Sequence, residues 1–195
     1  MIRYLPSLRP VFRWLFISAI GFIMLACAPK YDWREVRHEE AKWKAMFPAK
    51  PVEVSRALSL PETKATVTLT LRSAKIDDNL FAVGWIPNTA TSTVGHLEAA
   101  MLANISARPE TIQRTTIQNK DQVIYELRAK GKMRSSPKEP ERDAVLWMRT
   151  VARTTPASLG LPASTQVIEI IALGPIDTLS EADAELFVKS LTLLP

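Results

Sequence analysis

Apolar residues recur with a period of two from residue 41 onward. Trp43, Ala45 and Phe47 alternate with Lys42, Lys44 and Met46, which predicts a first strand. Pro48 and Pro51 bracket a turn or a sheet edge, and Val52 and Val54 then resume the alternation. From Thr66 to Arg72 the pattern is cleanest. Val67, Leu69 and Leu71 share one face, and three threonines with Arg72 share the other, as in a sheet with one covered and one wetter face. Asp77-Asp78-Asn79 reads as a turn, and Leu80 to Ile86 as a further strand that Pro87 ends.

Between Thr91 and Arg108 the period becomes helical. Val94, Leu97, Met101 and Ile105 fall three and four apart, Ser92 or Thr93 is available as a cap, and Pro109 closes the segment. Residues 111 to 117 and 122 to 129 predict a hairpin around Asn119-Lys120-Asp121. Ala144 to Arg153 and Val167 to Leu173 are apolar on both faces, which places them centrally in a sheet. A last helix starts from the Ser180 and Asp183 capping-box pattern and carries Ala184, Phe187, Val188 and Leu191 on one stripe. Two polar stretches, residues 131 to 142 and 154 to 164, read as loops. The economical arrangement of these elements is an α+β domain over residues 41–195: a mostly antiparallel sheet of six to seven strands with helices packed on it.

The N-terminus follows another pattern. Arg3, Arg9 and Arg13 precede an apolar run from Trp14 to Ala26. A bilayer-spanning helix needs about 20 such residues. This run is shorter and suits the core of a secretory signal with a basic flank. It ends in Met24-Leu25-Ala26-Cys27, which resembles the lipobox of bacterial lipoproteins. The resemblance implies cleavage after residue 26, acyl chains on Cys27, and anchorage to a membrane without a protein span. Residues 1–26 are then a signal peptide and residues 27–40 a tether. Ala28 stands where an Asp would favour inner-membrane retention, so the resemblance implies the outer membrane, facing the periplasm. An uncleaved anchor helix with an incidental cysteine is the alternative. Cys27 is the only cysteine and has no internal partner for a disulfide.

In the tether, Asp32 with Glu35 would cap a short helical turn, or the segment is extended and lies on the domain. Tyr31 and Trp33 sit close behind the anchor, within ~3.6 Å per residue of it. Their rings rest on the domain or dip into the membrane interface.

The order of elements resembles the PsbP-like family of small α/β/α sandwich domains. The residues that carry the resemblance are Phe47-Pro48-Ala49-Lys50-Pro51, Phe81-Ala82-Val83-Gly84-Trp85, the helix Leu97 to Ile105, Gly174-Pro175 and Phe187-Val188-Lys189-Ser190-Leu191. It implies a binding or assembly factor of no catalytic activity. The opening from Cys27 to Arg37 resembles uncharacterised proteobacterial lipoproteins.

Charge refines this picture. The chain carries a formal net charge of +5, and loss of the three N-terminal arginines lowers it to +2. The basic balance is therefore partly a feature of the signal, and no nucleic-acid partner is expected. His38 and His96 are too few for a zinc site, no phosphate loop is present, and no cofactor is expected. A hydrolase with His96 as base lacks a nucleophile-elbow sequence. Glu169, among Val167, Ile168, Ile170 and Ile171, either faces an open end of the sheet, pairing with Arg149 or Arg128, or is a buried acid in a ligand pocket. The basic run of Arg128, Lys130, Lys132, Arg134, Lys138 and Arg142 is a solvated hairpin tip or a contact for anionic head groups or an acidic partner, with Lys132 and Arg134 at its centre. The expected function is a non-enzymatic binding or assembly module. The alternatives are a carrier of a small apolar ligand, with Trp85, Met101 and Trp147 lining its pocket, or a hydrolase.

Overall fold

The computed structural model describes residues 30–59, 66–119, 121–134, 136, 138–156 and 164–195. The apolar run, Met24 to Cys27, Lys120 and residues 157–163 of the second predicted loop lie outside the described residues. The chain divides after Asp32, and Trp33–Pro195 form one unit.

Ten strands and two helices make up the described part of that unit. In chain order they are β1 (Arg34–His38), β2 (Trp43–Phe47), β3 (Val52–Ser59), β4 (Thr66–Ile76), β5 (Asn79–Ile86), α1 (Thr93–Asn104), β6 (Gln113–Gln118), β7 (Gln122–Met133), β8 (Arg142–Thr155), β9 (Ser164–Pro175), α2 (Glu181–Lys189) and β10 (Thr192–Leu193). Seven strands form one antiparallel sheet in the order β3-β4-β5-β9-β8-β7-β6. β1, β2 and β10 form a second, three-stranded sheet. The α+β class and the antiparallel sheet are as the alternation predicts, and β8 and β9 are central strands.

Several expectations are corrected. Of the two readings of the segment after Asp32 the extended one holds and the helical turn does not: Arg34–His38 pairs with β2 along its whole length, from Arg34↔Phe47 to His38↔Trp43. This stretch of the expected tether is a strand. Gly131–Met133 belong to β7 and Arg142 to β8, so the first predicted loop shrinks at both ends. Neither Ser92 nor Thr93 caps α1. Ser92 makes no capping hydrogen bond, and the Thr93 hydroxyl lies 2.7 Å from that of Thr89.

The two faces of the large sheet are covered differently. On one, α2 and β2 enclose an aromatic core. The Phe187 ring meets Phe47 and Phe81 edge-on at 5.2 Å each, and Trp43 packs on Trp85 at 5.5 Å. Trp33 stands edge-on to Phe81 at 6.0 Å, so its ring rests on the domain. α2 is held at its start, where the Asp183 amide donates to Ser180 Oγ at 3.1 Å. The Ser180 hydroxyl in turn donates to the Asp183 carboxylate, so the reciprocal bond goes to the side chain and not to the Ser180 amide.

Among the described residues, α1 and the segment that follows it cover the other face. Val94 and Leu97 pack with Ile86, Ala152 and Val167, while Met101, Leu102 and Ile105 pack with Leu127, Leu146, Met148 and Ile171. Gly95 lies on the outer side of α1, where a Cβ would meet nothing within 4 Å. Gly95→Ala is therefore expected to stabilise the domain by about 0.5–1 kcal/mol, through helix propensity and a less flexible unfolded chain. Urea denaturation of the two proteins checks this. Among the described residues no helix is long and apolar enough to cross a membrane.

Candidate binding groove on the β7–β8 face

Strand alternation sorts the basic run. Arg128, Lys130 and Lys132 are two apart on β7, so they share one face of the sheet. In register they stand opposite Trp147, Val145 and Asp143 of β8, and Gln113 of β6 stands opposite Arg128. Beside α2 lies a groove of about 270 Å³, lined by Thr111, Gln113, Arg128, Lys130, Val145, Trp147 and Glu181 among others.

Arg128 is the groove cation with side-chain contacts on both sides. Its guanidinium lies over the Trp147 ring, 3.7 Å from the centroid, and 3.8 Å from a Glu185 oxygen. Glu185 is itself bonded to Lys189, and those cations hold its carboxyl below the usual range. Arg128 is thus fixed by an aromatic face and keeps donors free for a further partner. Lys130 and Lys132 have no ion-pair partner among the described residues.

Arg134 and Arg142 are committed elsewhere. Arg134 meets Glu141 at 3.3 Å on the surface. Arg142 clamps two turns together, bonding Asp78 at 2.8 Å and both oxygens of Asp177 at 2.9 Å. That contact holds the Asp177 carboxyl below its ordinary value. The structure therefore brings together Arg128, Lys130 and Lys132 and sets Arg134 and Arg142 apart. Gln113 and Trp147 complete the groove. Gln113 carries no signal in the sequence, because its place depends on the β6–β7 register.

The histidines do not converge. His38 lies beside Trp85, ring centroids 4.3 Å apart, and its Nδ1 accepts from the Ala41 amide at 2.9 Å. Burial, with Arg72 next in effect, keeps its pKa below the usual value. His96 is on α1, across the large sheet. Trp85 and Trp147 point to the α2 side and Met101 to the α1 side, so these three side chains line no common pocket.

Glu169 corrects the sequence expectation of a paired, open position. It is 2% exposed and its Oε1 has no partner among the described residues. Arg149 and Arg128 point to the opposite face of the sheet, where Arg149 pairs with Glu126 at 3.0 Å. Burial pushes the Glu169 carboxyl up to about 8. No family model matches this chain, and comparison with curated proteins and with solved structures gives no match.

Proposed function

We propose that this is a lipoprotein anchored through acyl chains on Cys27, facing the periplasm from the outer membrane, whose α+β domain is a non-enzymatic binding or assembly module with PsbP-like architecture. The observation that carries the reading is the junction Leu25-Ala26-Cys27 after a basic flank and a short apolar run. The groove lined by Arg128 and Lys130, with Lys132 next along the same face of β7, supports the binding role. It offers a fixed guanidinium, two uncommitted ammonium groups and an amide to an acidic partner.

Separate experiments test the anchor, its address and the groove. Cys27→Ala is expected to abolish metabolic labelling by palmitate and to leave the precursor uncleaved, and unchanged labelling and processing would refute the anchor. Separation of the two membranes on a sucrose gradient places the labelled form, and recovery with the inner membrane corrects the address. For the groove, crosslinking in intact cells is expected to capture a partner. Charge reversal at Lys130 and Lys132 should cut its yield about tenfold, more strongly at low salt. An unchanged yield removes the groove from the interface.

A further inference from the structure

A second site lies on the opposite face of the large sheet. Register places Val54, Leu71, Gly84, Glu169, Thr150 and Tyr125 side by side across β3, β4, β5, β9, β8 and β7. The row is apolar at the sheet edge and polar under α1. Glu169 and Thr150 are both buried, and neither Glu169 Oε1 nor Thr150 Oγ1 has a hydrogen-bond partner among the described residues. A buried polar atom without a partner costs about 1–3 kcal/mol. Here two such atoms sit on adjacent strands.

The surroundings are built to open. The row separates the two apolar clusters of this face, and α1 bridges them, with Leu97 in one and Met101 against the other. α1 has no side-chain cap, no acidic residue in its first turn and no basic residue in its last. α2 has all three. Beside the carboxyl, Gly84 contributes no side chain. The space over it is held by Leu69 and Leu71, whose Cδ1 atoms lie 3.1 and 3.2 Å from where a Cβ would stand. Leucine side-chain ends can swing aside where backbone could not. Toward the edge, Val54 and Val52 leave 43% and 65% of their surface exposed on the same face.

We propose that this row is a binding site for an apolar molecule ending in an uncharged group that both donates and accepts hydrogen bonds, as a carboxamide does. The end group lies between Glu169 and Thr150, and the tail runs over Leu71 toward Val54. Glu169, a neutral acid at pH 7 because of its burial, donates its O–H to the ligand carbonyl. Oε1 and Thr150 Oγ1 accept the two N–H groups. α1 and Leu69 close over the ligand. This site is independent of the basic groove and of the membrane anchor.

Hexanamide is the probe, added to the full chain in lipid nanodiscs with isotope-labelled methyl groups. Millimolar hexanamide is expected to shift the methyl signals of Leu69, Leu71 and Met101 saturably. Hexylammonium and hexanoate should bind about tenfold more weakly. Glu169→Gln keeps a donor and an acceptor and should bind like the wild type, whereas Glu169→Leu should weaken binding about tenfold. Thr150→Val should weaken it about threefold and decides the matter if Glu169→Leu does not fold. The proposal is overturned by no saturable shift with hexanamide, by equal affinity for the charged probes, or by unchanged affinity in both Glu169→Leu and Thr150→Val.

Discussion

Replacing Gly131 by alanine is expected to destabilise the domain by roughly 3 kcal/mol or more. The segment after α1 runs along β7 beyond the end of β6. Ile105 O accepts from the Lys132 amide at 2.5 Å, and the Arg108 amide donates to Lys130 O at 3.0 Å. Thr111 locks the same strand, its hydroxyl donating to Lys130 O at 2.8 Å. Between these bonds Gly131 faces the Ile105 carbonyl. A Cβ there would stand 2.0 Å from the oxygen and 3.0 Å from Ala107 Cα. Both are backbone atoms, so no rotamer change relieves the overlap. Either the C-terminal end of α1 lifts off or β7 shifts, and both expose Ile105, which is 0% exposed. A urea midpoint lowered in proportion checks the prediction. A midpoint within experimental error of the wild type would show that the segment yields freely.

Glu169→Gln is expected to flatten the dependence of stability on pH and to stabilise the domain at pH 7. The folded state raises the carboxyl from 4.5 to about 8, and burial is the cause. A raised pKa means that the folded state holds the proton more tightly than the unfolded one. The stability that goes with this proton is fully present below the unfolded value and is lost as pH rises toward the folded value. The loss is about 1.4 kcal/mol per pH unit over that window. Between pH 5 and pH 7 the wild type should lose roughly 3 kcal/mol that the glutamine variant keeps. Other shifted groups cancel in the comparison. His38, held low by burial, acts in the opposite sense in both proteins, and Glu35, Asp177 and Glu185, held low by hydrogen-bonded cations, act only in acid. Urea titrations at pH 5, 6, 7 and 8 measure the difference. Parallel curves for the two proteins would mean that Glu169 is ionised in the folded state.

The alternation in β4 and the two-sided apolar runs of β8 and β9 are legible, because side-chain direction along a strand follows residue parity alone. The start of α2 is legible from Ser180 and Asp183 for a similarly local reason. The second sheet is not. β1 is charged and short, and β10 has two residues, so both are strands only because β2 lies between them. The environment of Glu169 is hidden for a related reason. Its neighbours Arg149 and Arg128 are close in the sheet but point the other way, and only the register decides this. The basic run illustrates the same limit, since alternation and competing ion pairs divide six charges that look continuous in sequence.

The pairing of β1 and β10 on either side of β2 bears on how the chain acquires its structure. β2 carries Trp43, Ala45 and Phe47 into the aromatic core, yet one of its edges is completed only by Thr192 and Leu193. The bonds from Met46 N to Ser190 Oγ and from Leu194 N to the Lys42 carbonyl span nearly the whole domain. Such contacts raise contact order and slow folding. During synthesis this layer cannot close until residues beyond α2 have emerged, so Trp43 and Phe47 stay uncovered while the intervening strands are made. If the chain crosses a membrane before folding, as the proposed anchor requires, that delay would keep it threadable and would also leave its apolar segments in need of shielding in transit.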